Sequence, residues 1–171
     1  MFTPLVRLLL IAFLLIIGGI RYAQDRPLGA LVAAAGVAFL TYDYFRAGTV
    51  WLAFRALRDE NLPRAERFIG QVRRPQYLSP RNLAYYFWVQ GALAAQRGDL
   101  GPARRQLALA FQGRLRTTND RCVVACCLAD LAIRAGDPEA ARAHLGQARA
   151  LRHRPALEPV IQELEALLPE N

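Results

Sequence analysis

Lysine is absent from this chain, and all 22 basic residues are arginine. Such a uniform replacement is the mark of a GC-rich genome, so no function is built on it. Cysteine is scarce, with Cys122, Cys126 and Cys127 crowded into six positions. An odd number so closely spaced makes no disulfide framework and suits a reducing compartment. The motifs of catalysis are missing too. There is no H-E-x-x-H, no nucleophile elbow and no paired-carboxylate motif. Gly18 and Gly19 lie inside an apolar run, and the later glycines punctuate helices rather than form a phosphate loop. His144 and His153 have no Ser, Cys or acidic partner at motif spacing. The chain is therefore expected to be no enzyme and to need neither cofactor nor metal.

Acids are thin in the middle of the chain. Between Arg64 and Arg116 ten arginines face only Glu66 and Asp99, whereas Glu158 to Glu170 carries four acids and no base. A basic middle suits anionic lipid headgroups, an acidic partner or nucleic acid, or is simply a solvated helix surface. Arg73, Arg74, Tyr77, Arg81, Tyr85 and Tyr86 interleave cations with rings, as base-stacking surfaces do. Rings in paired helices more often pack between them, so anionic phospholipid is the preferred electrostatic partner and nucleic acid is not expected.

What the chain has in excess is apolar residues, 54% of the total and concentrated at the N-terminus. Pro4 to Ile20 reads PLVRLLLIAFLLIIGGI, with Arg7 as its one charge, close enough to an end to snorkel. At about 1.5 Å per residue, seventeen residues reach roughly 25 Å, the short end for a bilayer core of about 30 Å. Leu28 to Tyr42 is uncharged but short, and Tyr44 and Phe45 extend it with an aromatic rim. Gly18, Gly19, Gly29, Ala33, Ala34, Ala35 and Gly36 would let two helices approach closely. The polar connector RYAQDRP ends one helix and starts another.

These features predict a two-helix transmembrane anchor over residues 1–45, with segments 4–20 and 28–45, and a helical domain over 46–171. A cleaved signal peptide would need an A-x-A-like site near Gly19 to Gln24, and none is present. A second alternative makes Leu28 to Tyr42 a core helix of the domain, leaving one crossing. Arg46, Arg55, Arg58, Arg64 and Arg67 follow the second segment, whereas Arg21 and Arg26 flank Asp25 in the connector. That asymmetry points the C-terminal domain toward the cytoplasm of a bacterial-type inner membrane.

The domain carries a period of 38 residues. ENLPRAERFIGQV from Glu60, GDLGPARRQLALA from Gly98 and GDPEAARAHLGQA from Gly136 align. Each places an alanine five residues on (Ala65, Ala103, Ala141) and a large apolar residue four further (Ile69, Leu107, Leu145). Val72, Ala110 and Ala148 close the block. Gly-Asp is a helix stop followed by a cap: glycine takes the left-handed conformation, Asp99 and Asp137 can accept from free amides, and Pro102 and Pro138 suit early helical positions. Apolar stretches of helical length precede each turn, over Val50 to Arg58, Leu83 to Arg97 and Cys122 to Arg134.

GALAAQRGDLGPARRQLALA and CLADLAIRAGDPEAARAHLGQA resemble the tetratricopeptide (TPR) repeat, whose usual unit is about 34 residues. The resemblance covers roughly 110 residues, and Glu60-Asn61 departs from it by replacing Gly-Asp. It implies an all-α solenoid of three helix-turn-helix units, over about 46–78, 80–116 and 119–153, with a capping helix over 155–168. Glu163 and Glu165 would lie on the wet side of that cap. The longer period implies extended helices or connectors, such as RRPQYLSPRN and GRLRTTND.

In the family, partners lie along the face lined by first helices. The resemblance carries that groove onto Phe54 and Arg58 in the first unit, Tyr85, Trp88, Ala92 and Gln96 in the second, and Val123, Cys126, Asp130 and Arg134 in the third. Phe54 and Ala92 stand where relatives that clamp a C-terminal carboxylate have Asn, which argues against that ligand class. Trp88 reads either as an aromatic anchor for a partner or as a residue buried between units. Cys122 and Cys126 share a helix face, but C-x3-C-C matches no zinc spacing, and core packing competes with a thiolate site. The expected function is a membrane-anchored scaffold for an unidentified protein partner. The alternative is a subunit of a larger membrane complex, held mainly through the hairpin.

Overall fold

The computed structural model of the chain describes residues 4–24, 28–29, 31–38 and 49–169, with the side chains of 4–9 and 21 outside that description. The expectations placed on the Arg7 side chain, on residues 25–27 of the connector, on residues 39–45 of the second apolar segment and on Arg46 lie outside the described residues. Those described are all-α, with no strand among them. They fall in two compact units, Met1–Ala47 and Gly48–Asn171.

In the first unit, α1 runs over Pro4–Ala23, and residues 28–29 and 31–38 are helical again. A Cβ built on Gly18 would stand 3.0 Å from the Ala33 Cβ, and one on Gly36 would stand 3.1 Å from Leu14 Cδ1. A late residue of one helix thus meets an early residue of the other, and an earlier one meets a later, so the two run antiparallel. Small residues set that close approach. Ala33 is buried, while Phe13, Leu15, Ile16, Ile20, Leu28, Leu31 and Val32 are exposed. Among the described residues no helix is long and apolar enough to cross a membrane.

The second unit is a series of helical hairpins. α2 (Val50–Arg58) turns into α3 (Leu62–Ile69), α4 (Pro80–Gln96) into α5 (Leu100–Gln112), and α6 (Thr118–Arg134) into α7 (Pro138–Ala150); α8 (Glu158–Ala166) follows. All three turns have the same hydrogen-bond pattern. Asn61 N–H donates to Ala56 O at 2.9 Å, Asp99 N–H to Ala94 O at 3.0 Å and Asp137 N–H to Ala132 O at 2.9 Å. This six-to-one bond closes a helix through one left-handed residue. That residue is Glu60 (φ 56°), Gly98 (φ 82°) and Gly136 (φ 72°) in turn, so the aligned positions share a conformation although the first lacks glycine. Asn61 and Asp137 accept from Arg64 N and Ala140 N as N-caps, whereas Asp99, expected to cap in the same way, makes no side-chain cap bond.

Packing follows the same period. Ala65, Ala103 and Ala141 are wholly buried where paired helices cross, and Ile69, Leu107 and Leu145 are buried one turn on. The first helices contribute Ala53, Gly91 and Ala129, all buried. At Gly91 the crossing is so close that an added Cβ would lie 2.7 Å from Leu107 Cγ. α4 and α6 begin earlier than the apolar pattern suggests, because Ser79 and Thr117 cap them through Asn82 N and Asp120 N. Their 17-residue length and a 3-10 turn at Pro75–Tyr77 account for the long period.

Two apolar clusters result. One joins α2 to α6, and the second packs Cys122, Cys126 and Ala129 against Leu145 and Ala148 of α7 and Ile161 and Leu164 of α8. The final helix therefore covers the last hairpin. Its Glu163 is exposed, but Glu165 holds Arg149 through two hydrogen bonds of 2.5 Å, binding the cap to α7 instead of facing water alone.

Candidate partner-binding groove

An aromatic cluster forms where α2 meets α4. The Phe54 ring centroid lies 4.8 Å from both Tyr85 and Trp88, at tilts of 68° and 56°. Tyr85 and Trp88 stack at 5.9 Å, and Trp51 meets Tyr85 edge-on at 6.3 Å. Offset and edge-to-face pairs suit the ring quadrupoles. One α-helical turn separates Tyr85 from Trp88, which puts both on the face of α4 turned to α2.

Tyr85 extends this cluster to the third hairpin. Its hydroxyl donates to Asp120 Oδ2 at 2.6 Å and accepts from Arg116 N–H at 3.2 Å. Burial, with the Asp120 carboxylate beside it, pushes the phenol up to about 12. Asp120 stands in the first turn of α6, where its own N–H donates to the Thr117 capping hydroxyl. A negative charge there also suits the helix dipole. The next residue back, Asn119, accepts from Arg154 N–H at 3.0 Å and so ties the α7–α8 connector to the start of α6.

Between these elements lies a groove of about 490 Å³. Phe54, Trp88 and Val123 give it an apolar side; Thr117, Asn119 and Asp120 give it a polar one, and Arg58 and Arg154 add two cations. Trp88 is only 6% exposed, so most of the ring is core and a remaining edge faces the groove. Trp88 is thus packed in the core, with one edge on the groove. Arg58 and Arg154 are exposed, and neither guanidinium makes an ion pair among the described residues.

The groove thus gathers Phe54, Arg58, Trp88 and Val123 from the residues the sequence nominated. Tyr85 stands behind it as support. Ala92, Gln96, Asp130 and Arg134 are not among its lining; Asp130 and Arg134 pair with each other at 3.5 Å, and Arg134 also donates to Ala95 O. Cys126 is buried in the second cluster. Thr117, Asn119, Asp120 and Arg154 were not nominated. The T-x-x-D spacing of Thr117 and Asp120, a capping signature, was the available signal for two of them.

All three cysteines belong to the apolar clusters, Cys122 and Cys126 in the second and Cys127 against the first. Cys122 donates to Ala148 O at 3.5 Å. Burial raises all three thiols, Cys126 to about 12 and Cys127 to about 11, so they stay protonated. Among the described residues no group of His, Cys, Asp or Glu is placed to hold a metal ion. Comparison with protein-family models, with curated proteins and with solved structures finds no match to the chain.

Proposed function

We propose that the chain is a membrane-anchored scaffold whose helical hairpins, of TPR type, dock a protein partner in the groove between α2, α4 and the start of α6. The observation that carries this reading is the groove itself: an apolar wall of Phe54, Trp88 and Val123 beside Arg58 and Arg154, which make no ion pair among the described residues. Concave sites with an aromatic floor and a few fixed polar groups are where ligands dock. The repeated turns, buried alanines and covering helix α8 support the TPR reading, because each unit leaves an apolar face that only a neighbour or a cap can bury.

Anchoring at a bacterial-type inner membrane, with the helical domain in the cytoplasm, is supported by the apolar run Pro4 to Ile20 and by the large apolar side chains that the first unit leaves exposed. The arginine-rich surface of the second unit suits anionic headgroups at that address. A subunit of a larger membrane complex, held by the helical pair, draws on the same exposed side chains. Replacing residues 1–45 with an unrelated hairpin separates the two, since a scaffold keeps its partner and such a subunit loses its complex.

The groove is tested by placing a photo-crosslinking residue at position 58, and a control at exposed position 105 on α5, in intact membranes. A protein captured from 58 and not from 105 is the expected result. Capture of lipid and the chain itself alone, or equal capture from both positions, rejects the groove. A reporter joined after Asn171 tests sidedness, with periplasmic activity rejecting the cytoplasmic placement.

A further inference from the structure

The groove is rich in donors and poor in acceptors. Arg58 and Arg154 each present a guanidinium fork without an ion pair among the described residues. The Asn119 side-chain oxygen already accepts from Arg154 N–H, which leaves its amide hydrogens to donate. The Thr117 oxygen accepts from Asp120 N–H, which leaves its hydroxyl hydrogen to donate. Opposed to these stands one carboxylate, Asp120, and its Oδ2 is occupied by the Tyr85 hydroxyl. An occupant of this groove must therefore bring acceptors and negative charge. It must also bring an apolar group, because Phe54, Trp88 and Val123 form the other wall.

Resting on the scaffold reading above, we infer that the groove takes an acidic peptide segment in which a large apolar side chain adjoins an Asp or Glu. The apolar side chain packs on Phe54, Trp88 and Val123. The carboxylate meets Arg58 or Arg154, where charge-assisted, bidentate geometry is available. The Thr117 hydroxyl and the Asn119 amide reach peptide carbonyls. Arg154 comes from the connector after α7 and is held to α6 by its own backbone N–H. The acidic preference thus depends on the C-terminal cap being docked.

The test uses the full chain in lipid nanodiscs and a fluorescein-labelled hexapeptide with Phe-Glu between Gly-Ser flanks and an amidated C-terminus. Anisotropy should show saturation by about 0.1 mM peptide. Changing the peptide's Glu to Gln should weaken binding about tenfold, and changing its Phe to Ala should weaken it at least as much. At least one of Arg58→Gln and Arg154→Gln should cost about tenfold with the Glu peptide and almost nothing with the Gln peptide. Both arginines are exposed, so neither variant threatens the fold.

Equal binding of Glu and Gln peptides overturns the inference, and so does indifference to both arginine changes. Binding only by a peptide whose carboxylate is its free C-terminus overturns the commitment to an internal acid. Absence of binding by every peptide, with a protein still captured from position 58, sinks the acidic-peptide inference and leaves the scaffold standing. Absence of both sinks the two together.

Discussion

The Tyr85 hydroxyl donates to the Asp120 carboxylate at 2.6 Å, joining the early part of α4 in the second hairpin to the first turn of the third. Arg116 N–H donates to the same hydroxyl, so one phenol fixes the connector and the helix start that together line the groove. Tyr85→Phe keeps the ring packing and removes both bonds. It should cost about 1–2 kcal/mol of stability, the range for a hydrogen bond to a charged group that water can partly replace. The check is chemical denaturation of Tyr85→Phe, Asp120→Asn and the double variant. Coupling between the two changes is expected, and strict additivity would show that the bond contributes nothing.

Burial of this phenol, and then the same bond, set an alkaline limit. The folded phenol titrates at about 12, above its ordinary 10.0. Folding therefore favours the protonated form: the contribution is complete below the unfolded value and is lost as pH rises through the folded one. Tyr85→Phe should flatten the loss of stability between those two values. Phenolate absorbance followed during alkaline titration should show a component titrating at about 12, and that component should vanish in the variant.

Glu60 is the only described non-glycine residue with positive φ, at a position where the other two hairpins use glycine. A left-handed conformation costs a side-chain-bearing residue about 1–2 kcal/mol, and glycine returns part of that by loosening the unfolded chain. Glu60→Gly should accordingly stabilise the protein by about 0.5–1 kcal/mol. Gly98→Ala and Gly136→Ala should each destabilise it by a similar or larger amount. Thermal or denaturant midpoints decide this, and a destabilised Glu60→Gly would mean the Glu60 side chain has a role that outweighs its backbone strain.

Gly91 marks the closest crossing of α4 and α5. A Cβ there would lie 2.7 Å from Leu107 Cγ and 3.1 Å from Leu107 N, so relief requires backbone movement as well as a rotamer change. Gly91→Ala should destabilise the protein by about 1–3 kcal/mol, despite alanine's better helix propensity. Shrinking the neighbour with Leu107→Ala would restore space for the side chain but not for the backbone. The double variant should therefore fall short of additive loss without recovering full stability, as denaturation curves of the four proteins can show.

The hairpins were legible because each turn needs a particular local chemistry. A left-handed residue, a following cap and a buried alanine leave a mark at fixed spacing even where Glu60 replaces glycine. Phe54, Trp88 and Val123 were legible for the same reason, since first-helix positions recur with the period. The polar side of the groove was not. Asn119 and Asp120 sit at a helix start and Arg154 in a connector, and their positions depend on how a non-repeating segment returns to the stack. The Tyr85–Asp120 bond spans 35 residues and links unlike positions, so an alignment of equivalent positions could not place it. Ala92, Gln96, Asp130 and Arg134 continue the first-helix positions beyond the lining of this groove, and Asp130 pairs with Arg134 there.

His153 should make the C-terminal cap sensitive to pH. Its Nδ1 contacts Leu151 O at 2.8 Å and its Nε2 contacts Glu158 Oε2 at 3.1 Å, so both ring nitrogens meet acceptors. The Leu151 carbonyl first, and then Glu158, raise the imidazole above its ordinary value, although Arg149 opposes them. Glu158 is lowered in return, chiefly by His153, with Gln162 and Arg149 adding to it. A raised histidine contributes stability that is complete below its unfolded value and is lost as pH rises through its folded one. A lowered glutamate contributes stability that is present above its unfolded value and is lost as pH falls through its folded one. The pair therefore works between the folded value of Glu158 and the folded value of His153, and fades outside both. Proton NMR titration should find His153 titrating above the ordinary imidazole value, and Glu158→Gln should lower it toward that value. Because His153 adjoins Arg154, raising the pH through this titration should also weaken the Glu peptide in the groove more than the Gln peptide. A His153 that titrates at its ordinary value in both proteins would remove the basis for any pH effect on the cap.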